Sequence, residues 1–142
     1  MSENKIVLSK HRLDSAKETM RSAEYNYDGG FYRDSINRAY YVVFYAIKAI
    51  LALEGIDFKR HKDAIGYFNK NYVATGIFSR DLGKKLGRLK MLREESDYSD
   101  FFIASKDDSE KQYQAAEFII CEVKNFLEQR NILQIVAAER GI

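Results

Sequence analysis

Leu13, Ala16, Met20, Ala23 and Tyr27 recur at alternating steps of three and four residues, which places them on one stripe of a helix. That spacing predicts a first helix from about Lys5 to Tyr27, with His11 off the stripe and exposed. The pair Gly29-Gly30 then ends the helix in a tight turn. A second helix is predicted from about Tyr32 to Leu53. Its centre, "AYYVVFYAIKAILAL", is apolar on nearly every side, with Lys48 its one charge. The run is short for a membrane span and carries that lysine within it. It reads as the central helix of a bundle, covered by the other helices and by a second subunit.

A third helix is predicted to begin near His61, to include Ile65, Phe68 and Tyr72, and to be capped by Gly76. Ser79 is placed to cap a fourth helix, from about Arg80 to about Ser96, with Asp81 in its first turn. Leu82, Leu86 and Leu89 form the core stripe of that helix. Four residues on, the same stripe reaches Arg93, and four more reach Asp97. Arg93 is therefore predicted to turn inward, where a charge needs a partner, and Asp97 one turn away can supply it. Gly83 and Gly87 also stand one turn apart, each costing roughly 1 kcal/mol relative to alanine. They suggest close approach by another helix. Asp107 or Ser109 opens a fifth helix, striped by Tyr113, Ala116, Ile120, Val123 and Leu127, and the apolar tail from Asn131 onward is expected to extend it.

No stretch alternates apolar and polar residues as a half-buried strand would. There is no proline, and hydrophobic residues make up 46% of 142 residues against 31% charged. The expected fold is all-α, an antiparallel bundle of about five helices forming one domain over residues 1–142, and dimeric. The single cysteine, Cys121, rules out an internal disulfide framework, and with only His11 and His61 as histidines no metal site is expected. The N-terminal "MSENKIVLSK" lacks the apolar run of a signal peptide, so the expected setting is cytoplasmic, with no membrane partner.

The net charge of +2 does not mark the whole chain as a nucleic-acid binder. The basic residues are nonetheless concentrated. Between Arg80 and Arg93 there are six, set against Asp81 alone. This is either a solvated face or a local phosphate-binding patch. No glycine-rich phosphate loop, metalloprotease helix or nucleophile elbow is present.

"SINRAYYVVFYAIKAILALEG" and the following "RHKDAIGYFNKNYVATGIFSRDLGKKLGRLKMLREESDYSD" resemble the HEPN family, the nucleotide-binding domains of higher eukaryotes and prokaryotes, in its small stand-alone prokaryotic form. The resemblance rests on Arg38-Ala-Tyr-Tyr41 with Phe44 and Ala46, on His61-Lys62, Phe68 and Gly76, and on Arg93-x-x-x-Asp97-Tyr98. It implies a dimeric helical bundle. It also implies a metal-independent ribonuclease site built on an arginine followed four to six residues later by histidine, and a minimal nucleotidyltransferase as antitoxin partner. Here Tyr98 stands five residues after Arg93, where that motif would place histidine. In one toxin group a tyrosine two residues further on receives adenylyl groups; here that position is Asp100.

The candidate catalytic residues are accordingly Arg93 and Tyr98, and the candidate binding residues Asp97, His61, Arg38 and Arg88. No metal or cofactor is expected. Tyrosine, with an ordinary pKa of roughly 10, is a poor base at neutral pH, so weak, altered or lost ribonuclease activity is expected within a toxin-antitoxin-like pair. The alternative is a non-catalytic module that binds a nucleotide or RNA. A third reading makes Arg93-Asp97 a purely structural ion pair.

Overall fold

The computed structural model describes residues 3–130. Five α-helices run through it: α1 (Glu3–Asp28), α2 (Tyr32–Leu53), α3 (His61–Phe68), α4 (Arg80–Tyr98) and α5 (Lys106–Gln129), with no strand among the described residues. A π-helical turn, Asn69–Val73, continues directly from α3. The expected helical tail after Asn131 lies outside the described residues.

The turn between α1 and α2 needs a residue in the left-handed region, and Gly30 supplies it at φ +82°. The amide of Phe31 donates to the carbonyl of Asn26 at 2.8 Å, closing the end of α1. α2 then folds back antiparallel. Two contacts far apart along the pair fix this direction. The Ser35 hydroxyl donates to the Ala23 carbonyl at 2.8 Å, and Arg12 donates to the Lys48 carbonyl at 3.1 Å.

α2 is the centre of the bundle, packed chiefly against α1 and α5. It is long and apolar enough to cross a membrane by length and composition, but 72% of its most apolar window is buried inside the bundle. Fourteen of its 22 residues are buried by this chain alone. The apolarity of α2 is thus satisfied within one chain and does not by itself call for a second subunit. Lys48 keeps its charge at the edge of the core, 3.2 Å from Asp57, which Arg12 also approaches at 3.8 Å. These cations hold the Asp57 carboxyl below its ordinary range, the hydrogen bond from Lys48 being the largest cause.

α3 does not run on to Gly76. It ends at Phe68, and the π-turn carries Tyr72 and Val73. Gly76, at φ +85°, lies in the turn beyond, after which the Phe78 amide donates to the Tyr72 carbonyl at 2.8 Å. Ser79 caps α4 as expected, its hydroxyl accepting from the Leu82 amide at 3.1 Å. The cap of α5 is neither Asp107 nor Ser109 but Ser105, which accepts from the Asp108 amide at 3.0 Å. Asp107 and Asp108 fall in the first turn, where their charge suits the dipole.

The buried face of α5 is turned slightly from the predicted stripe. Ala116, Val123 and Leu127 are buried, but so are Gln112, Ala115, Ile119 and Phe126, while Tyr113 and Ile120 are half-buried at the border. On α4, Leu82, Leu86, Leu89 and Leu92 are all buried. Gly83 is a true close approach. A Cβ there would meet Cγ1 of Val73 at 2.9 Å, so its neighbour is the π-turn. Gly87 has nothing within 4 Å of where a Cβ would stand. No close approach exists at that position among the described residues.

Candidate functional site

Arg38, Tyr40, Tyr41 and Phe44 occupy nearly two turns of α2, which faces α4 and the start of α3. The inward stripe of α4 brings Arg93 against them, and its side chain is only 19% exposed. Nη2 of Arg93 donates to the Tyr41 hydroxyl at 3.2 Å. The guanidinium carbon lies 5.1 Å from the centre of the Tyr40 ring and 5.6 Å from that of Tyr41. Arg38 places its own guanidinium 4.9 Å from the Tyr41 ring. Two cations thus share one aromatic side chain, an arrangement that attracts an anion.

Nε of Arg93 is 2.9 Å from Oδ2 of Asp97, as the one-turn spacing predicts. The alignment is that of an ion pair rather than a hydrogen bond, for the Nε–H has no aligned acceptor among the described residues. The half-exposed Asp97 therefore balances the charge of Arg93 without using all of its donors. Ser96 steadies the same turn by donating to the Arg93 carbonyl at 2.9 Å, and Arg33 donates to the Ser96 carbonyl from α2.

His61 opens α3 on the other side of Tyr40. Its Nδ1 is 3.2 Å from the Tyr40 hydroxyl, and its ring stacks on Phe44 with centres 3.8 Å apart. Burial, with the charges of Arg93 and Lys48, lowers its pKa, so the imidazole is neutral at pH 7. Tyr40 is fully buried and its phenol is pushed up to about 12 by desolvation, which Arg93 only partly offsets. The Tyr40 phenol remains protonated. It orients the histidine rather than exchanging protons itself.

The structure thus gathers Arg93, Asp97, His61 and Arg38 around Tyr40 and Tyr41. It does not gather Tyr98 or Arg88. Tyr98 ends α4 and is 78% exposed. Arg88 faces the groove between α4 and α5. The site residues that periodicity passed over are Tyr40 and Tyr41. The signal was present in "RAYY", whose adjacent tyrosines point along two directions of a helix, one into the core and one to its edge. Among the described residues no group of three or more His, Cys, Asp or Glu side chains converges as a metal site would.

The HEPN domain family profile matches residues 9–126, a span that runs from α1 to near the end of α5. The chain belongs to the HEPN family. It is 25% identical over 122 residues to a Methanocaldococcus jannaschii protein named "Putative toxin MJ0142", covering 86% of this chain and 83% of that one. An Archaeoglobus fulgidus "UPF0332 protein" is 33% identical over 114 residues, covering 80% of this chain and 90% of that protein. A Pyrococcus horikoshii "UPF0332 protein" is 39% identical over a shorter stretch of 79 residues, 56% of this chain and 55% of its own.

Proposed function

We propose that this HEPN protein is the toxin-like member of a two-protein pair, that it acts as a homodimer on RNA, and that its metal-independent ribonuclease site is degenerate. The observation that carries the reading is the half-buried Arg93, held by Asp97 and Tyr41 beside the neutral His61. The toxin name of the Methanocaldococcus relative supports it. Cleavage of RNA without metal requires removal of the 2′-hydroxyl proton and positive charge to stabilise the phosphorane. Arg93 and Arg38 supply charge. The base is the weak point. Tyr98 occupies the sequence position of the motif histidine but extends into solvent, and His61 has Nδ1 occupied by the Tyr40 hydroxyl. Loss of a general base costs roughly 10²- to 10⁴-fold.

The partner in this reading is a minimal nucleotidyltransferase, and the setting is cytoplasmic. The exposed hydroxyl of Tyr98 is the group accessible for transfer of an adenylyl moiety, although the tyrosine of the modification motif is replaced by Asp100. The second reading is a non-catalytic module that holds a nucleotide or RNA strand. The separation of Tyr98 from the Arg93 cluster favours it.

The deciding experiment compares the purified protein with Arg93→Ala and Tyr98→His on RNA in the presence of a chelator. The expected result is little cleavage by the wild type and a gain in Tyr98→His. Robust wild-type cleavage that disappears in Arg93→Ala would refute a degenerate site.

A further inference from the structure

A second cationic surface lies on the opposite side of α4. Lys84, Lys85 and Arg88 line a groove of about 390 Å³, and Lys111 and Gln112 of α5 complete it. The helix geometry separates this groove from Arg93. Lys85 lies over the ring of Phe118 in α5, 5.1 Å from its centre, whereas Arg93 faces the tyrosines of α2.

Two of the four cations have partners. Lys85 is 2.8 Å from Asp81 and Lys111 is 3.0 Å from Asp107. Lys84 and Arg88 are exposed and make no ion pair among the described residues. They stand one turn apart, about 6 Å along the helix axis. The groove therefore retains an excess of positive charge along a line.

Gln112 makes this more than a solvated basic face. It is only 3% exposed, yet its carbonyl oxygen Oε1 accepts no hydrogen bond among the described residues. A buried amide oxygen without a donor is costly, roughly 1–3 kcal/mol, and apolar residues such as Ala115 and Ala116 occupy neighbouring buried positions of the same helix. Gln112 lines the groove, where a ligand bringing a donor of its own would satisfy this oxygen.

We infer that the α4–α5 groove binds a single strand of RNA, with Lys84 and Arg88 on successive phosphates and Gln112 on a ribose hydroxyl or base amine. This rests on the proposed action on RNA and adds a holding surface apart from the Arg93 cluster. An open groove with cations spaced along it suits a polyanionic strand better than an isolated phosphate.

The test is fluorescence anisotropy with a 5′-labelled 12-nucleotide single-stranded RNA across a salt series, for the full chain, Lys84→Ala/Arg88→Ala, Gln112→Met and Arg93→Ala. The double variant is expected to weaken binding at least tenfold and to reduce the magnitude of the salt slope by about 1.4, from about 0.7 for each phosphate released. Gln112→Met is expected to weaken binding severalfold while raising Tm, because an unpaired buried oxygen is removed. A purely structural glutamine would lower Tm and leave binding unchanged, which would overturn its assigned role. Binding unchanged in the double variant would overturn the groove proposal; a loss confined to Arg93→Ala would do so while leaving the proposed function intact. A loss in the groove variants with none in Arg93→Ala would support the groove and count against the Arg93 site. Equal competition by AMP and by unlabelled RNA would make this a mononucleotide site and reject the strand.

Discussion

The Tyr40 hydroxyl and Nδ1 of His61 meet at 3.2 Å, joining the middle of the central helix to the first residue of α3. One partner is fully buried and the other half-buried. The contact lets the folded protein hold a neutral histidine next to an arginine. Burial, Arg93 and Lys48 all oppose its protonation. Folding therefore favours the neutral form.

The sign of the resulting pH dependence follows. Below its ordinary value of roughly 6.5, unfolded His61 binds a proton that folded His61 resists, so the unfolded state binds more protons and stability falls with falling pH. The loss begins near pH 6.5 and ends below the lowered folded value. Urea denaturation at pH 7.5 and at pH 5.5 is expected to show a smaller difference in His61→Gln than in the wild type. An identical difference in both proteins would remove His61 as the source.

The two glycines of α4 are expected to respond oppositely to alanine. Gly87→Ala adds a methyl group in open space and removes the helix cost of glycine, a gain of about 1 kcal/mol. Gly83→Ala gains the same propensity but drives Cβ into Cγ1 of Val73, a β-branched and therefore stiff neighbour. It is expected to be less stable than Gly87→Ala, with the deficit relieved by Val73→Ala. Thermal unfolding of the two single variants and the Gly83→Ala/Val73→Ala pair measures this. If Gly87→Ala lowers Tm at micromolar concentration, a second chain covers that position.

At the start of α5 the hydrogen bonding decides between neighbouring serines. Ser105→Ala removes the acceptor for the Asp108 amide and is expected to cost about 1 kcal/mol. Ser109 is buried with a hydroxyl that has no hydrogen-bond partner among the described residues, so Ser109→Ala is expected to be neutral or slightly stabilising. Chemical denaturation of the pair gives the answer directly. Equal losses would place the cap elsewhere.

These residues also indicate how much of the molecule was legible beforehand. The bounds of α2 followed from a continuous apolar run after the Gly29-Gly30 turn, and the inward turn of Arg93 from a leucine stripe long enough to define a phase. The site was legible only in part, for the same reason. Asp97 is a neighbour within one helix, so its pairing with Arg93 is written in a four-residue step. Tyr40 and Tyr41 reach Arg93 across 52 and more residues, and no local spacing encodes which tyrosine faces which helix. The cap of α5 was misjudged because Ser105, Asp107 and Ser109 are all competent cap residues; the backbone amide that points at Ser105 selects among them. The π-turn after α3 likewise has no local sequence mark here, and its use is packing Val73 over Gly83.

The dimer expected from the family needs a surface, and the segment after Arg93 supplies the most apolar candidate. Tyr98, Phe101 and Ile103, all within six residues of Asp97, are 78%, 92% and 87% exposed. α2 is excluded as the main reason for association because one chain buries it. Leaving three large side chains in water costs roughly 1.5–3 kcal/mol each for the aliphatic and aromatic parts that burial would recover. Sedimentation at micromolar concentration is expected to show a dimer for the wild type and a monomer for Phe101→Asp/Ile103→Asp, with circular dichroism unchanged because neither side chain belongs to the core. A stable interface should bury at least about 1,000 Å² in total, more than these three residues provide, so Met91 and the exposed flank of α4 are expected to join it. A wild-type monomer under those conditions would reject association. A dimer that survives both substitutions would move the interface away from this loop and return attention to the open face around Gly87.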